Sequence, residues 1–322
     1  MLSVARLRKK PRHFKSFTGL SEAEFETLLQ ALKPIYAAQE AARKQRPTRQ
    51  RAPGAGPPFT LALPERLLMT LMYLRLYVTE GLLGYLFGLH ESSINRERRL
   101  RMLPALLEVL PVPMREELGL IGTATAARAP EPRPGAAKRI GTLEELLQQH
   151  PEIAEVFLDA TEQPVARPKE RQAQRTHYSG KKKRHTLKTQ VTTTDKLVLH
   201  ASGHVPGSVN DLVLLRFSGV LHQVGSRTVR LDKGYEAVEQ AYPEVQVEKP
   251  IKAQRNHPLT PLGKAYNRMQ SRLRIKVEHV LARLEQYRIL AQTYRGRRGG
   301  YDALFGVVAG LNNYRVLGSL AW

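Results

Sequence analysis

Two aspartates and a glutamate are the residues of this 322-residue chain whose settings best suit chemistry. Asp159 follows the apolar run Val156-Phe-Leu158, and Asp232 follows Thr228-Val-Arg-Leu231, so each acid closes a short predicted strand. Strand ends of an open α/β sheet gather ligands because the backbone diverges there into loops. On neighbouring strands the two carboxylates would repel, and one of them would rather bind a proton than stay ionised. A hard divalent cation removes that conflict, and Mg²⁺ favours such sparse oxygen ligation, completed by water and phosphate. Asp is also a frequent turn residue, so neither position alone demands a metal.

The third acid lies in a long helical run, about Leu262 to Leu290, whose apolar stripe is Leu273, Val277, Val280, Leu281 and Leu284. Glu278 sits at the edge of that stripe, one turn after Arg274, and Glu285 follows two turns later on nearly the same face. On its own, Arg274 with Glu278 reads as an ordinary surface pair contributing about 0.3 kcal/mol. Spacing alone leaves Glu278 and Glu285 both open.

The elements that must hold these acids form a mixed pattern over residues 138–322. Thr186–Thr194 and Leu197–Ala201 are β-rich and joined by a hairpin turn at Thr194-Asp-Lys196. Ser208 is the expected cap of a short helix, Asp211 to Phe217, and Gly234 permits a sharp turn after Asp232. Val245–Val247 adds another strand. Strands followed by alternating strands and helices predict an α/β sheet of mixed direction.

Residues 59–120 read as all helix. Leu63, Leu67, Leu68, Leu71, Leu74 and Val78 trace one face, with Pro64 in the tolerated first turn. A short helix, Glu80 to Phe87, ends at Gly88, and Ser92 or Ser93 is the expected cap of a third, basic helix from Ile94. That order suits a helix-turn-helix with Ser92, Ser93, Asn95, Arg96 and Arg99 facing a major groove, although a plain helical bundle with a basic face has the same periodicity. Residues 1–58 hold one further helix, started by the capping box Ser21-Glu-Ala-Glu24, and a basic arm. Lys44–Pro58 and Gly122–Ala137, rich in Pro, Gly and Ala, read as linkers. The expected organisation is therefore 1–58 N-terminal helix and arm, 59–120 helix-turn-helix, 121–137 linker and 138–322 α/β domain.

Charge names the partner class. Lys and Arg number 51 against 29 Asp and Glu, a net charge of +22, and such an excess calls for a polyanion because basic side chains release counterions from phosphates. Arg167–Lys188 is the densest basic run and includes Lys181, Lys182, Lys183, Arg184 and Lys188, while Arg295, Arg297 and Arg298 form a smaller patch. These are the expected phosphate contacts, which position DNA without reading sequence. The chain has no cysteine, which removes disulfides, thiolate zinc sites and cysteine nucleophiles. No apolar run reaches the roughly 18 residues of a membrane span, so a soluble cytoplasmic protein associated with the nucleoid is expected, with no membrane partner.

Five motifs then occur in a telling order: Asp159-Ala-Thr-Glu-Gln-Pro-Val165, Lys181-Lys-Lys-Arg-His-Thr-Leu-Lys188, Gly207-Ser-Val-Asn-Asp211, Leu231-Asp-Lys-Gly-Tyr235 and Arg274-Ile-Lys-Val-Glu278. Together with Leu74-Arg-Leu-Tyr77 and Leu86-Phe-Gly-Leu89, they resemble bacterial transposases of insertion sequence family five, similar to the Harbinger transposases, over about residues 59–317. The resemblance implies a ribonuclease-H-like catalytic domain behind a helix-turn-helix, with Asp159, Asp232 and Glu278 as a catalytic acidic triad holding two divalent ions, Mg²⁺ or Mn²⁺. Glu278 matches the final acid because Arg274, the implied DNA contact, precedes it by four residues. Ser271 stands where that family often has tyrosine, and Glu285 where it often has a basic residue. The implied activity is cleavage at terminal inverted repeats and strand transfer into target double-stranded DNA, by at least a dimer. A DNA-binding protein without cleavage and a stand-alone nuclease are the alternatives.

Overall fold

Ser21 starts the longest N-terminal helix as its capping box requires: its Oγ accepts from the Glu24 amide at 3.3 Å, and the Glu24 carboxylate accepts from the Ser21 amide at 2.6 Å. The computed structural model containing it describes residues 1–45, 60–112, 142–253 and 258–320. The expected linker 121–137 and nearly all of Lys44–Pro58 lie outside the described residues. The described residues fall into two units, one drawn from Met1–Val112, Glu285–Gln292 and Ala303–Trp322, the other from Pro113–Leu284 and Thr293–Asp302. This corrects the expected division. Residues 1–45 share a unit with the helix-turn-helix rather than standing apart, and two C-terminal segments assigned to 138–322 join that unit as well.

The first unit begins with α1 (Val4–Arg8), α2 (Pro11–Thr18), α3 (Glu22–Lys44), α4 (Leu63–Leu76), α5 (Glu80–Phe87), α6 (Glu91–Glu97) and α7 (Leu103–Val109). The helix α4 has no single buried face, because every residue from Arg66 to Leu74 is buried. Its neighbours therefore surround it, and Val78 lies beyond its end at left-handed Tyr77. Between α6 and α7 the helix continues through a π turn, Arg98–Met102. Pro104 accounts for the turn: proline has no N–H to give and its ring presses on the carbonyl four residues back, which a π insertion relieves. The expected cap at Ser92 or Ser93 is corrected to His90, whose Nδ1 accepts from the Ser92 amide.

The second unit contains α8 (Leu143–Gln149), β1 (Glu155–Pro164), α9 (Arg171–His177), β2 (Tyr178–Ser179), β3 (Arg184–Thr193), β4 (Val198–Ala201), β5 (Val205–Pro206), α10 (Asp211–Ser218), β6 (Thr228–Arg230), α11 (Val238–Ala241), β7 (Val247–Glu248) and α12 (Pro261–Glu285). Two last helices, α13 (Arg288–Ala291) and α14 (Tyr301–Leu317), supply the segments that join the first unit. The sheet order is β2-β3-β1-β6-β7, with β4 and β5 also on β3. The strand β1 is antiparallel to β3 and parallel to β6, and β6 is parallel to β7. This mixed sheet, with the first strand central, is the ribonuclease-H-like arrangement. The hairpin at Thr194 forms as read, its hydroxyl accepting from the Lys196 and Leu197 amides. The cap of α10 is Asn210, not Ser208, because the Asn210 side chain reaches the Leu212 amide at 2.8 Å.

Half-buried polar bonds fix α12 against the sheet. Arg230 on β6 pairs with Glu155 on β1 at 2.6 Å and with Glu248 on β7, and donates to Gln270 of α12 at 3.1 Å. Gln270 donates back to Glu248 at 2.9 Å, and Lys276 meets Glu155 at 3.2 Å. Burial works against ionised Glu155, but Arg230 and Lys276 outweigh it and hold the carboxyl below its usual range.

Candidate active site and nucleic-acid interface

Asp159 does not close its strand; it lies in the middle of the ten-residue β1, opposite Val191 of β3. The expectation holds in a different form. The parallel pairing of β1 with β6 stops at Phe157↔Arg230, so Asp159 and Asp232 each lie two residues beyond the last pair. Where β1 keeps β3 and loses β6 the sheet opens, and both acids sit in that opening. Burial raises the pKa of Asp159, and the neighbouring charge of Asp232 adds to the rise; the Ala160 amide, Arg274 and Lys181 oppose it. Asp232 Oδ1 accepts from the Lys233 amide at 2.7 Å and from Arg274 Nη1 at 2.9 Å.

The third acid is not brought into this pair. Glu278 is exposed on α12 one turn beyond Arg274, and the described residues contain no group of three or more His, Cys, Asp or Glu arranged to hold a metal. Glu285 ends the helix. At 1.5 Å per residue it lies about 16 Å further along the axis than Arg274, against about 6 Å for Glu278. Of the two acids that spacing leaves open, Glu278 is the one near the residue that touches Asp232.

Two groups near the pair carried no expectation. The Tyr235 hydroxyl is buried without a hydrogen-bond partner, and its pKa is pushed far up by burial and then by Asp211, Asp159 and Asp232. Asp211 accepts from Lys188 Nζ at 2.8 Å. Asp211 ends the motif begun at Gly207 and Tyr235 ends the one begun at Leu231, so the signal is present in the sequence, but only the turn after Asp232 brings them together. Lys188 requires a correction. It is buried, donates to Val209 O at 2.6 Å as well as to Asp211, and has Glu162 at 3.9 Å, so it is an internal cation and not a phosphate contact. Gly207 lies beside this cluster. A Cβ there would stand 1.9 Å from Thr186 Oγ1 and 3.0 Å from Thr186 O, so Gly207→Ala is expected to destabilise the fold by about 1–3 kcal/mol, measurable by chemical denaturation.

The other expected phosphate contacts are exposed: Lys181, Lys182 and Lys183 form the tip between β2 and β3, and Arg184 begins β3. Lys181 is close enough to lower the Asp159 pKa, which sets this tip beside the carboxylates. His177 donates from Nδ1 to Ala173 O at 2.8 Å, a tautomer that leaves Nε2 to accept from Arg298 at 3.1 Å, so the second basic patch joins the same end of the sheet.

In the helical unit α5, the left-handed turn at Gly88 and α6 follow in helix-turn-helix order. Ser92, Ser93, Arg96 and Arg99 lie on α6 and the turn after it, and all four are exposed. Asn95 departs from its expected role, since its amide donates to Glu80 at 2.7 Å and is thereby turned into the unit. Arg98 shares that carboxylate at 2.7 Å and covers the Tyr73 ring, 4.0 Å from its centroid.

Residues 158–313 match the family described as DDE superfamily endonuclease, and residues 60–107 match the helix-turn-helix of DDE superfamily endonuclease; together they cover more than half of the chain. The chain belongs to the DDE endonuclease superfamily. It is 29% identical over 316 residues, 95% of each sequence, to the probable transposase for insertion sequence element IS702 of Microchaete diplosiphon. No solved structure matches it.

The donor set of this DDE endonuclease suits a divalent ion at the Asp159–Asp232 pair. Both are hard oxygen donors, and partly buried Asp159 carries an ionisation penalty that a cation would relieve. No helix among the described residues is long and apolar enough to cross a membrane.

Proposed function

We propose that this chain is an insertion-sequence transposase that binds the terminal inverted repeats of a mobile element, cleaves them and joins the freed end to target DNA. The observation that carries the reading is the register-matched pair Asp159 and Asp232 at the opening between β1 and β6, within a domain of the DDE endonuclease superfamily. Asp159, Asp232 and Glu278 would hold two divalent ions, Mg²⁺ or Mn²⁺. Bound there, the ions would activate a water and take up charge on the leaving 3′ oxygen. The chain's own residues do the positioning. Asp159 and Asp232 supply the fixed oxygens, Arg274 meets a phosphate near the scissile bond, and Lys181–Arg184 guide the backbone. Ser92, Ser93, Arg96 and Arg99 read the repeat from α6. The chain would act as a homodimer or higher oligomer on double-stranded DNA, because two ends must be held together.

The test is labelled terminal-repeat DNA incubated with the purified chain and Mg²⁺ or Mn²⁺. Cleavage followed by joining supports the reading; cleavage without joining indicates a nuclease, and binding without cleavage a DNA-binding protein. A second expectation concerns the phosphate-binding lysines. Replacing Lys181, Lys182 and Lys183 with alanine should weaken every DNA sequence alike and flatten the salt dependence by about 0.9 for each phosphate no longer neutralised, whereas Arg96→Ala with Arg99→Ala should weaken repeat DNA more than unrelated DNA. Equal weakening of both DNAs by the Arg pair would remove α6 from the reading role.

A further inference from the structure

We propose that Arg274 is a built-in counter-ion that occupies the carboxylate pair of the DNA-free protein, so that a divalent ion loads fully only when a DNA phosphate draws the guanidinium away. This rests on the reading of Asp159 and Asp232 as metal-binding residues. Arg274 Nη1 sits 2.9 Å from Asp232 Oδ1, the same oxygen that accepts the Lys233 amide. The lone pairs that a cation would use at that oxygen are therefore already engaged. The charge of Arg274 also reaches Asp159, so one cation serves both acids.

Three neighbouring cations are committed to other acids, and Lys181, which also acts on Asp159, is exposed and makes no ion pair with Asp232 among the described residues. Lys276 and Arg230 bind Glu155, Arg230 also holds Glu248, and Lys188 is on Asp211. Arg274 makes no second ion pair among the described residues, and its side chain is 24% exposed, so it can leave Asp232 without breaking another one. A planar guanidinium meets phosphate with two parallel hydrogen bonds, an arrangement its present single bond to Asp232 does not reach. A metal ion and Arg274 on one carboxylate repel each other, whereas a phosphate and a metal ion at the site attract. DNA and metal should therefore strengthen each other's binding by the same factor, with Arg274 as the moving part.

The experiment is a Mn²⁺ titration of the full chain without DNA, reading free Mn²⁺ by electron paramagnetic resonance. Mn²⁺ must displace the charge-assisted hydrogen bond that Arg274 makes to the same oxygen, and such a bond is worth about tenfold or more in an equilibrium constant, so Arg274→Gln should tighten Mn²⁺ binding by about that factor. Arg274→Lys, which keeps the charge, should stay near the unaltered chain. Lys276→Gln removes one positive charge from the same helix without touching Asp232 and should change little. Adding a terminal-repeat duplex should tighten Mn²⁺ binding to the unaltered chain but hardly to Arg274→Gln. The proposal is overturned if Arg274→Gln binds Mn²⁺ no more tightly, or if Lys276→Gln tightens it equally. Asp232→Asn separates the two levels. If it binds Mn²⁺ like the unaltered chain, the metal site itself is misassigned; if it loses binding while Arg274→Gln gains nothing, only the counter-ion role fails.

Discussion

Asp159→Asn and Asp232→Asn should each lower cleavage of terminal-repeat DNA by more than about a thousandfold, and the double variant should be no worse than either alone, because residues acting as one unit are not additive. The reason is the shared position of the two acids: each lies two residues past the final β1–β6 pair, so neither can hold a cation without the other's charge beside it. Binding of the same DNA should persist, since the amide removes a charge that repels phosphate. Asp159→Asn carries a second readout that separates chemistry from misfolding. Burial raises the pKa of Asp159 above its unfolded value, so keeping it ionised costs stability at neutral pH. That cost is complete above the folded pKa and vanishes below the unfolded pKa. The metal-free Asp159→Asn protein should therefore melt higher than the unaltered chain at pH 7, with the gain disappearing towards pH 3, as thermal melts in a chelator would report. An inactive variant that melts lower at pH 7 would count against this electrostatic origin. Glu278→Ala and Glu285→Ala complete the comparison. The position of Glu278 one turn past Arg274 predicts a loss of cleavage comparable with that of the aspartates, and Glu285→Ala should cleave normally.

The parts of the site legible in the sequence are those that local chemistry specifies. The apolar runs before Asp159 and Asp232 mark both strands, and Gly88 marks the turn of the helix-turn-helix, because left-handed backbone suits glycine. Sequence misleads where a partner distant in the chain decides. Asp159 reads as a strand end, since nothing local says that pairing with β3 extends the strand to Pro164. Lys188 looks like its exposed neighbours Lys181–Lys183, yet at the strand's buried positions it meets Asp211, 23 residues away. Asn95 has the residue type of a base reader, but Glu80 claims its amide. The caps His90 and Asn210 replace plausible serines two or three residues away, a shift at helix ends that only the cap geometry settles. The third acid shows the same limit. Helix spacing does not separate Glu278 from Glu285, and only the bond of Arg274 to Asp232 gives the helix a reference point.

Glu97→Ala should cost the helical unit about 3–5 kcal/mol and weaken repeat-DNA binding with it, although no sequence motif marks Glu97. Glu97 is buried at the end of α6. Its Oε1 accepts from Tyr36 Oη at 2.7 Å and lies 3.5 Å from Arg66, and its Oε2 accepts from Arg101 at 3.0 Å. Tyr36 belongs to α3 and Arg66 to α4, so one carboxylate ties α6 to both. Arg101 also pairs with Glu40 of α3 at 3.0 Å, and Glu40 with Arg43 at 2.8 Å. Removing Glu97 therefore takes away a carboxylate that faces both buried Arg66 and Arg101, and leaves the Tyr36 hydroxyl without the oxygen it donates to. Taking a buried carboxylate from between two guanidiniums is the main source of the cost. It follows that Arg66→Met combined with Glu97→Met should be less damaging than Glu97→Ala alone, since the positive charge goes with its partner. Chemical denaturation of the unaltered chain, the single variants and the double variant decides the point. A double variant as unstable as the sum of its single changes would mean that packing around α4, and not the ion pair, holds α6 in place; Arg96 and Arg99 would then keep their presentation to DNA for a different reason.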